Sequence, residues 1–154
     1  MLESLNQVKP SPEADWILNK RILARSPGGL QVPMITIESK QNKIKKYLPD
    51  KLKTEDTKLK VIFIIARTHS HDAISSYWCE GIINYLISDR EFAAKLRKRF
   101  IFKIIPMMCV DGVLIGNTFS NICGIDMHSN WKNTLYIKNP VVYELKKYMR
   151  KLQS

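Results

Sequence analysis

The chain has 154 residues, 45% hydrophobic and 25% charged, with 25 basic against 14 acidic side chains and a formal net charge of +11. This length and composition fit one globular domain with its own core and exclude a disordered or fibrous chain. No apolar run approaches the roughly 20 residues that cross a bilayer, so a membrane is not an expected partner, whereas acidic partners are favoured by long-range attraction.

The N-terminal Met1-Leu-Glu-Ser-Leu-Asn-Gln7 lacks a basic region followed by an apolar stretch and does not read as a secretory leader. Residues 1–15, with Pro10 and Pro12, form a loose lead-in to a domain spanning 16–154. Asp15 is placed to cap a short helix from Trp16 to Ala24, and Pro27-Gly28-Gly29 is a turn. Val32 to Glu38 alternates as a strand, with Pro33 at an edge or near its start. Residues 39–60 are rich in lysine and read as a surface loop, an insertion with room for one helical turn. Lys60 to Ala66 is nearly continuously apolar, as in a strand covered on both faces. Ile74, Tyr77, Trp78, Ile82, Tyr85 and Leu86 recur at helical steps, and a second helix over about 89–98 turns Phe92, Ala93 and Leu96 inward. Phe100 to Ile105 is another buried strand, stopped by Pro106. Residues 107–135 read as a long loop region. Asn139-Pro140 opens a final helix whose inner stripe is Val142, Leu145, Tyr148, Met149 and Leu152. The strand–helix–helix–strand order predicts an α/β fold, a mixed sheet flanked by helices.

Chemistry concentrates where the strongest strand stops. Val61-Ile-Phe-Ile-Ile-Ala-Arg-Thr-His69-Ser-His71-Asp72 delivers two histidines and a carboxylate to a strand end just before a helix. That is one way to start a metal site. The same residues also suit a plain structural role: Asp72 as an N-cap and His69 as a hydrogen-bonding strand end. Tyr77, Trp78 and Trp131 are expected to anchor the core. Asp111-Gly112 reads as a turn in which glycine takes positive φ, and Gly116 and Gly124 as further backbone necessities. Cys79, Cys109 and Cys123 lack metal-ligand spacing and read as reduced thiols of a cytosolic protein. Eighteen of the 25 basic residues are scattered lysines, and aromatics do not interleave with them as a base-stacking surface would need. Nucleic acid is therefore not the expected partner.

Three blocks carry a family resemblance: Leu30-Gln-Val-Pro-Met-Ile-Thr-Ile37; Ile65-Ala-Arg-Thr-His69-Ser-His-Asp72 with Ser76-Tyr-Trp-Cys-Glu-Gly-Ile-Ile83; and Phe102-Lys-Ile-Ile-Pro-Met-Met-Cys-Val-Asp111-Gly112-Val, continuing through Gly116-Asn117 to Gly124-Ile-Asp126-Met-His128-Ser129-Asn-Trp131. In order and spacing they resemble the cytosolic carboxypeptidases of the M14 zinc metallopeptidases, which trim glutamates from tubulin tails. The resemblance spans about residues 16–150 and implies the N-terminal part of an M14 carboxypeptidase-like domain. It implies zinc as cofactor, with His69 matching the first zinc histidine and Asp72 standing where the family has its zinc glutamate. Phe119 stands in place of one substrate arginine, and His128 and Ser129 in place of an Asn-Arg pair. By the family pattern the third zinc histidine and the general-base glutamate would follow residue 154, and His128 is the candidate substitute ligand. Asp126 belongs to the retained scaffold. The expectation is a metallocarboxypeptidase-like chain, weakly active or inactive alone, with no intact catalytic or substrate-binding residue. The alternative is a cytoplasmic, basic interaction module for acidic protein tails such as those of tubulin.

Overall fold

Pro27-Gly28-Gly29 folds the chain back on itself, because glycine takes the left-handed backbone the turn requires. Gly29 sits at φ 82°, and the Ser26 N–H closes the turn on the Leu30 carbonyl at 2.8 Å. The turn joins β1 (Trp16–Arg25) to β2 (Gln31–Ser39). The structure is a computed structural model and describes residues 13–46 and 59–153. The expected lead-in up to residue 12 and most of the lysine-rich loop lie outside those residues. After β2 come helix α1 (Lys40–Lys46), β3 (Lys60–Ile65), α2 (Ala73–Leu86), α3 (Glu91–Arg99), β4 (Phe100–Ile105) and α4 (Val110–Ile115). A 3-10 turn at Ser129–Trp131 and helix α5 (Pro140–Gln153) complete the order. The four strands form one mixed sheet in the order β1-β2-β4-β3.

Several expectations change. Trp16–Arg25 is a strand rather than a helix, since a short turn into β2 makes the two segments sheet neighbours, and pairing outweighs local helical spacing. Asp15 therefore caps no helix there; its carbonyl accepts the Lys40 N–H at 2.7 Å. β3 lies at the sheet edge, and Val61 to Ile65 are half-buried rather than covered on both faces. Pro33 is the third residue of β2, an inner strand, so its place near the strand start is what accommodates it. In α2 the inward stripe is Cys79, Ile83 and Leu86, whereas Tyr77 and Trp78 are 72% and 73% exposed. That helix is apolar on two faces, and spacing alone does not tell which is inward. Phe92 is exposed on α3 while Ala93 is buried. The segment after Pro106 contains α4, so Gly112 is helical and absent from the positive-φ residues, unlike Gly116 and Gly124 at φ 77° and 71°. A Cβ on Gly112 would lie 2.2 Å from Ser70 Oγ and 2.4 Å from the Ser120 carbonyl, so packing is what demands glycine there.

The chain divides into two compact units, one of Met1–Lys20, Ile35–Ile64 and Glu80–Ile104, the other of Arg21–Met34, Ile65–Cys79 and Ile105–Ser154. In the first, β2 and β4 pair antiparallel with Ile35 opposite Ile104 and Ile37 opposite Phe102, and Ile83, Leu86 and Ala93 are buried. Arg97 is buried there too. Its guanidinium donates to the Leu86 and Ser88 carbonyls at 2.7 and 2.9 Å and to Asp15 Oδ1 at 2.5 Å. The second unit buries Val32, Met34, Met108, Met127, Val142 and Leu145 and carries every histidine of the chain. Its helix α5 starts as its sequence requires, with Asn139 Oδ1 accepting the Val142 N–H at 3.4 Å.

Candidate functional site

β3 delivers the chain to Arg67, whose φ of 52° is a conformation that residues with a side chain rarely adopt. Three contacts hold it: the Arg67 N–H donates to Ser75 Oγ at 3.0 Å, the Cys109 N–H donates to the Arg67 carbonyl at 2.9 Å, and Arg67 Nε–H donates to the Ser70 carbonyl at 3.1 Å. The sharp turn this produces presents His69, His71 and Asp72. Strain of this kind persists only where the surroundings fix it, and it is a feature of functional loops.

His69 is half-buried, with Nε2 3.0 Å from Asp126 Oδ1. Burial pushes the Asp126 carboxyl up, but hydrogen bonds from the His128 backbone N–H and the Ser129 side chain, together with the charge and hydrogen bond of His69, outweigh it and hold the carboxyl below its ordinary value. An ionised Asp126 only accepts, so the His69 Nε2–H donates to it, and Nδ1 is the ring nitrogen turned away from that contact. Nδ1 has no hydrogen-bond partner among the described residues. A carboxylate behind a histidine in this way fixes ring orientation and raises basicity, as behind metal-bound histidines. Asp72 precedes α2 and acts as its cap: Oδ1 accepts the Ser75 N–H at 3.3 Å, and its carbonyl accepts the Ser75 hydroxyl at 2.8 Å. Its second oxygen is without a hydrogen bond among the described residues.

The other matched positions surround this pair. His71 Nδ1 lies 2.8 Å from the Thr118 carbonyl, tying down the segment that carries Phe119. Phe119 sets its ring edge against His71 and His69, with centroids 4.6 and 5.4 Å away. The exposed His128 ring lies 5.3 Å from that of His69, centroid to centroid. The Ser129 hydroxyl points back to the Asp126 carbonyl at 3.5 Å. Trp131 is half-buried in the 3-10 turn. His69, His71, Phe119, Asp126 and His128 thus come together, and Asp72 adjoins them through the chain. Asp111 stands apart: it is buried and takes hydrogen bonds from Ser26 Oγ at 2.6 Å and the Gly28 N–H at 3.0 Å, an anchor for the first turn.

Zinc, the cofactor the resemblance implies, typically needs three protein donors in a catalytic site. Among the described residues no group of three or more His, Cys, Asp or Glu side chains is placed to hold a metal. The donors in hand, His69 Nδ1 and one Asp72 oxygen, stop at two, so the residues present do not fit a catalytic zinc by themselves. Sequence reading assigned Asp126 to the scaffold and missed its hydrogen bond to His69. The contact spans 57 residues, and nothing in local spacing reports it. It also missed the strain at Arg67, for which the abrupt end of an apolar strand was the only signal.

Comparison with known proteins bears on the family and the fold. The zinc carboxypeptidase family model, peptidase M14, matches residues 14–144. Mouse cytosolic carboxypeptidase 6 is 33% identical over 132 residues, which is 86% of this chain and 23% of that protein. Cytosolic carboxypeptidase 2 of Xenopus tropicalis is 30% identical over 141 residues, 92% of this chain and 14% of that protein. The chain therefore spans less than a quarter of the length of these relatives. A crystal structure of a carboxypeptidase A-like protein from Shewanella denitrificans superposes with a TM-score of 0.77 at 21% identity, over 96% of this chain and 34% of that one. A metallo-carboxypeptidase from Burkholderia cenocepacia gives 0.75 at 23% identity, over 97% and 36%. Among the described residues no helix is long and apolar enough to cross a membrane. On sequence and fold together, the chain belongs to the zinc carboxypeptidase family, peptidase M14.

Proposed function

We propose that this chain is a metallocarboxypeptidase-like scaffold of the cytosolic carboxypeptidase type which, by itself, cleaves peptides weakly or not at all, and which meets acidic protein tails through its basic surface. The donor count carries this reading: His69 and Asp72 offer two, and among the described residues no group of three or more such side chains is placed to hold a metal. His128, with its ring beside that of His69, is the residue from which a third donor would have to come. Phe119 and Ser129 occupy positions where the family resemblance places arginines. Neither supplies the planar, bidentate cation that grips a carboxylate or polarises a carbonyl. Loss of one such donor typically lowers a rate by about 10²–10³-fold.

The net charge of +11 favours an acidic partner. Tubulin tails are the candidate, since the chain resembles enzymes that trim glutamates from them, and the cytoplasm, beside microtubules, is the corresponding location. Two assays on the purified full chain test this. With zinc supplied, glutamate release from a polyglutamate peptide is expected to stay at background, and clear turnover overturns the inactive reading. Co-sedimentation with microtubules is expected to occur, to weaken with salt, and to be lost when the tubulin tails are removed; absence of co-sedimentation, or binding indifferent to the tails, overturns the partner.

A further inference from the structure

The second unit holds a cleft of about 590 Å³ between the segment after the 3-10 turn and one face of α5. Lys132, Leu135, Tyr143, Lys146, Lys147 and Arg150 are among the residues that line it, and none of the lining residues is acidic. The volume lies within the range of about 300–1,000 Å³ typical of ligand sites. Four cations line it: Lys146 is half-buried, and Lys132, Lys147 and Arg150 are exposed. The Lys146 ammonium donates to the Trp131 and Lys132 carbonyls, so it is fixed at the wall of the cleft with one donor left over. Tyr143 is held edge-on by Tyr136, centroids 5.2 Å apart. Lys147 has a distant acidic neighbour, Glu144 at 3.9 Å, whereas among the described residues Lys132 and Arg150 have no side-chain ion-pair partner.

We propose that this cleft binds an extended acidic peptide, with carboxylates at alternate positions facing Lys146 and Arg150 and the chain passing Lys132. The proposal rests on the acidic-partner reading above and gives it an address. The spacing supports it: Lys146 and Arg150 are one helical turn apart, about 6 Å along the axis, and same-face residues of an extended strand are separated by about 6.6–6.8 Å. Arg150 offers a two-pronged donor for one carboxylate, and Lys146 a fixed point charge for the next. Leu135 and Tyr143 give an apolar wall against which the methylenes of glutamate side chains pack. A nucleic acid is the less suitable ligand, because the lining contains a single aromatic ring and no stacking platform.

The test is fluorescence anisotropy of a labelled oligo-glutamate peptide against the full chain, at fixed low salt, with an oligo-glutamine peptide and a single-stranded oligonucleotide as controls. One variant combines Lys132→Ser with Arg150→Glu. A second makes the same change of charge on α3, Lys95→Ser with Arg99→Glu, and thermal melts check that both fold. The expected result is binding of the glutamate peptide alone, weakened about tenfold or more by the cleft variant and less than about threefold by the α3 variant. Equal weakening by both variants overturns the cleft while leaving the acidic partner standing. No binding of the glutamate peptide to the unaltered chain overturns the acidic-partner reading itself. Tighter binding of the oligonucleotide overturns the proposed ligand class.

Discussion

Asp126 shows how one carboxylate organises the site. It holds His69 by the ring and His128 by the backbone, and those contacts favour its ionised form. The fold holds this carboxyl below its ordinary value of 3.8. Its contribution to stability is therefore present above that ordinary value and disappears as pH falls through the lower, folded-state value. Denaturant titrations across pH are expected to show the unaltered chain more stable than Asp126→Asn at neutral pH, with the gap closing below about pH 4; a gap that widens on acidification would contradict the assignment. Gly112 is the second decisive residue. Its missing Cβ is what lets Ser70, the Ser120 carbonyl and Cys109 close around it. Gly112→Ala is expected to lower stability by about 1–3 kcal/mol, read from the shift in a denaturant midpoint. Of the site, the sequence made His69 and Asp72 legible because a strand end and a helix start leave local signals. The hydrogen bond to Asp126 and the crowding at Gly112 join distant segments and leave none.

At the scale of elements, the strands β3 and β4 and the capped start of α5 were readable because each carries a dense local signal: apolar β-branched runs for the strands, Asn139-Pro140 for the helix. β1 was misread as a helix because its character is conferred by the turn and by β2. α2 was found but assigned the wrong inner face. Trp78 at 73% exposure contributes little to the packing of this chain, so Trp78→Ser is expected to change stability by less than about 0.5 kcal/mol in a thermal melt. A loss the size of a core truncation would show that the ring is covered. Arg97 lies in the last turn of α3 and is a buried tie. Arg97→Met removes the donors to two carbonyls and to Asp15, and is expected to cost about 3 kcal/mol in chemical denaturation. Arg97→Lys is expected to recover only part of it, because one ammonium does not span the same fork.

For the whole molecule, family and fold were legible from the order and spacing of three blocks; the family model agrees with the first and the solved structures with the second. The cleft at α5 was not foreseen. Lys146, Lys147 and Arg150 read simply as the polar side of an amphipathic helix, and only the fold brings Lys132 and the Trp131 carbonyl up to them. The proposed function has a basic scaffold meeting acidic partners more readily than holding a catalytic ion, since among the described residues no group of three or more His, Cys, Asp or Glu side chains is placed to hold a metal. Zinc titration of the purified full chain against a competing chelator, beside His69→Ala, tests this most directly. The account predicts weak binding that stays below one ion per chain and weakens further with His69→Ala; one tightly held, four-coordinate zinc per chain would contradict it.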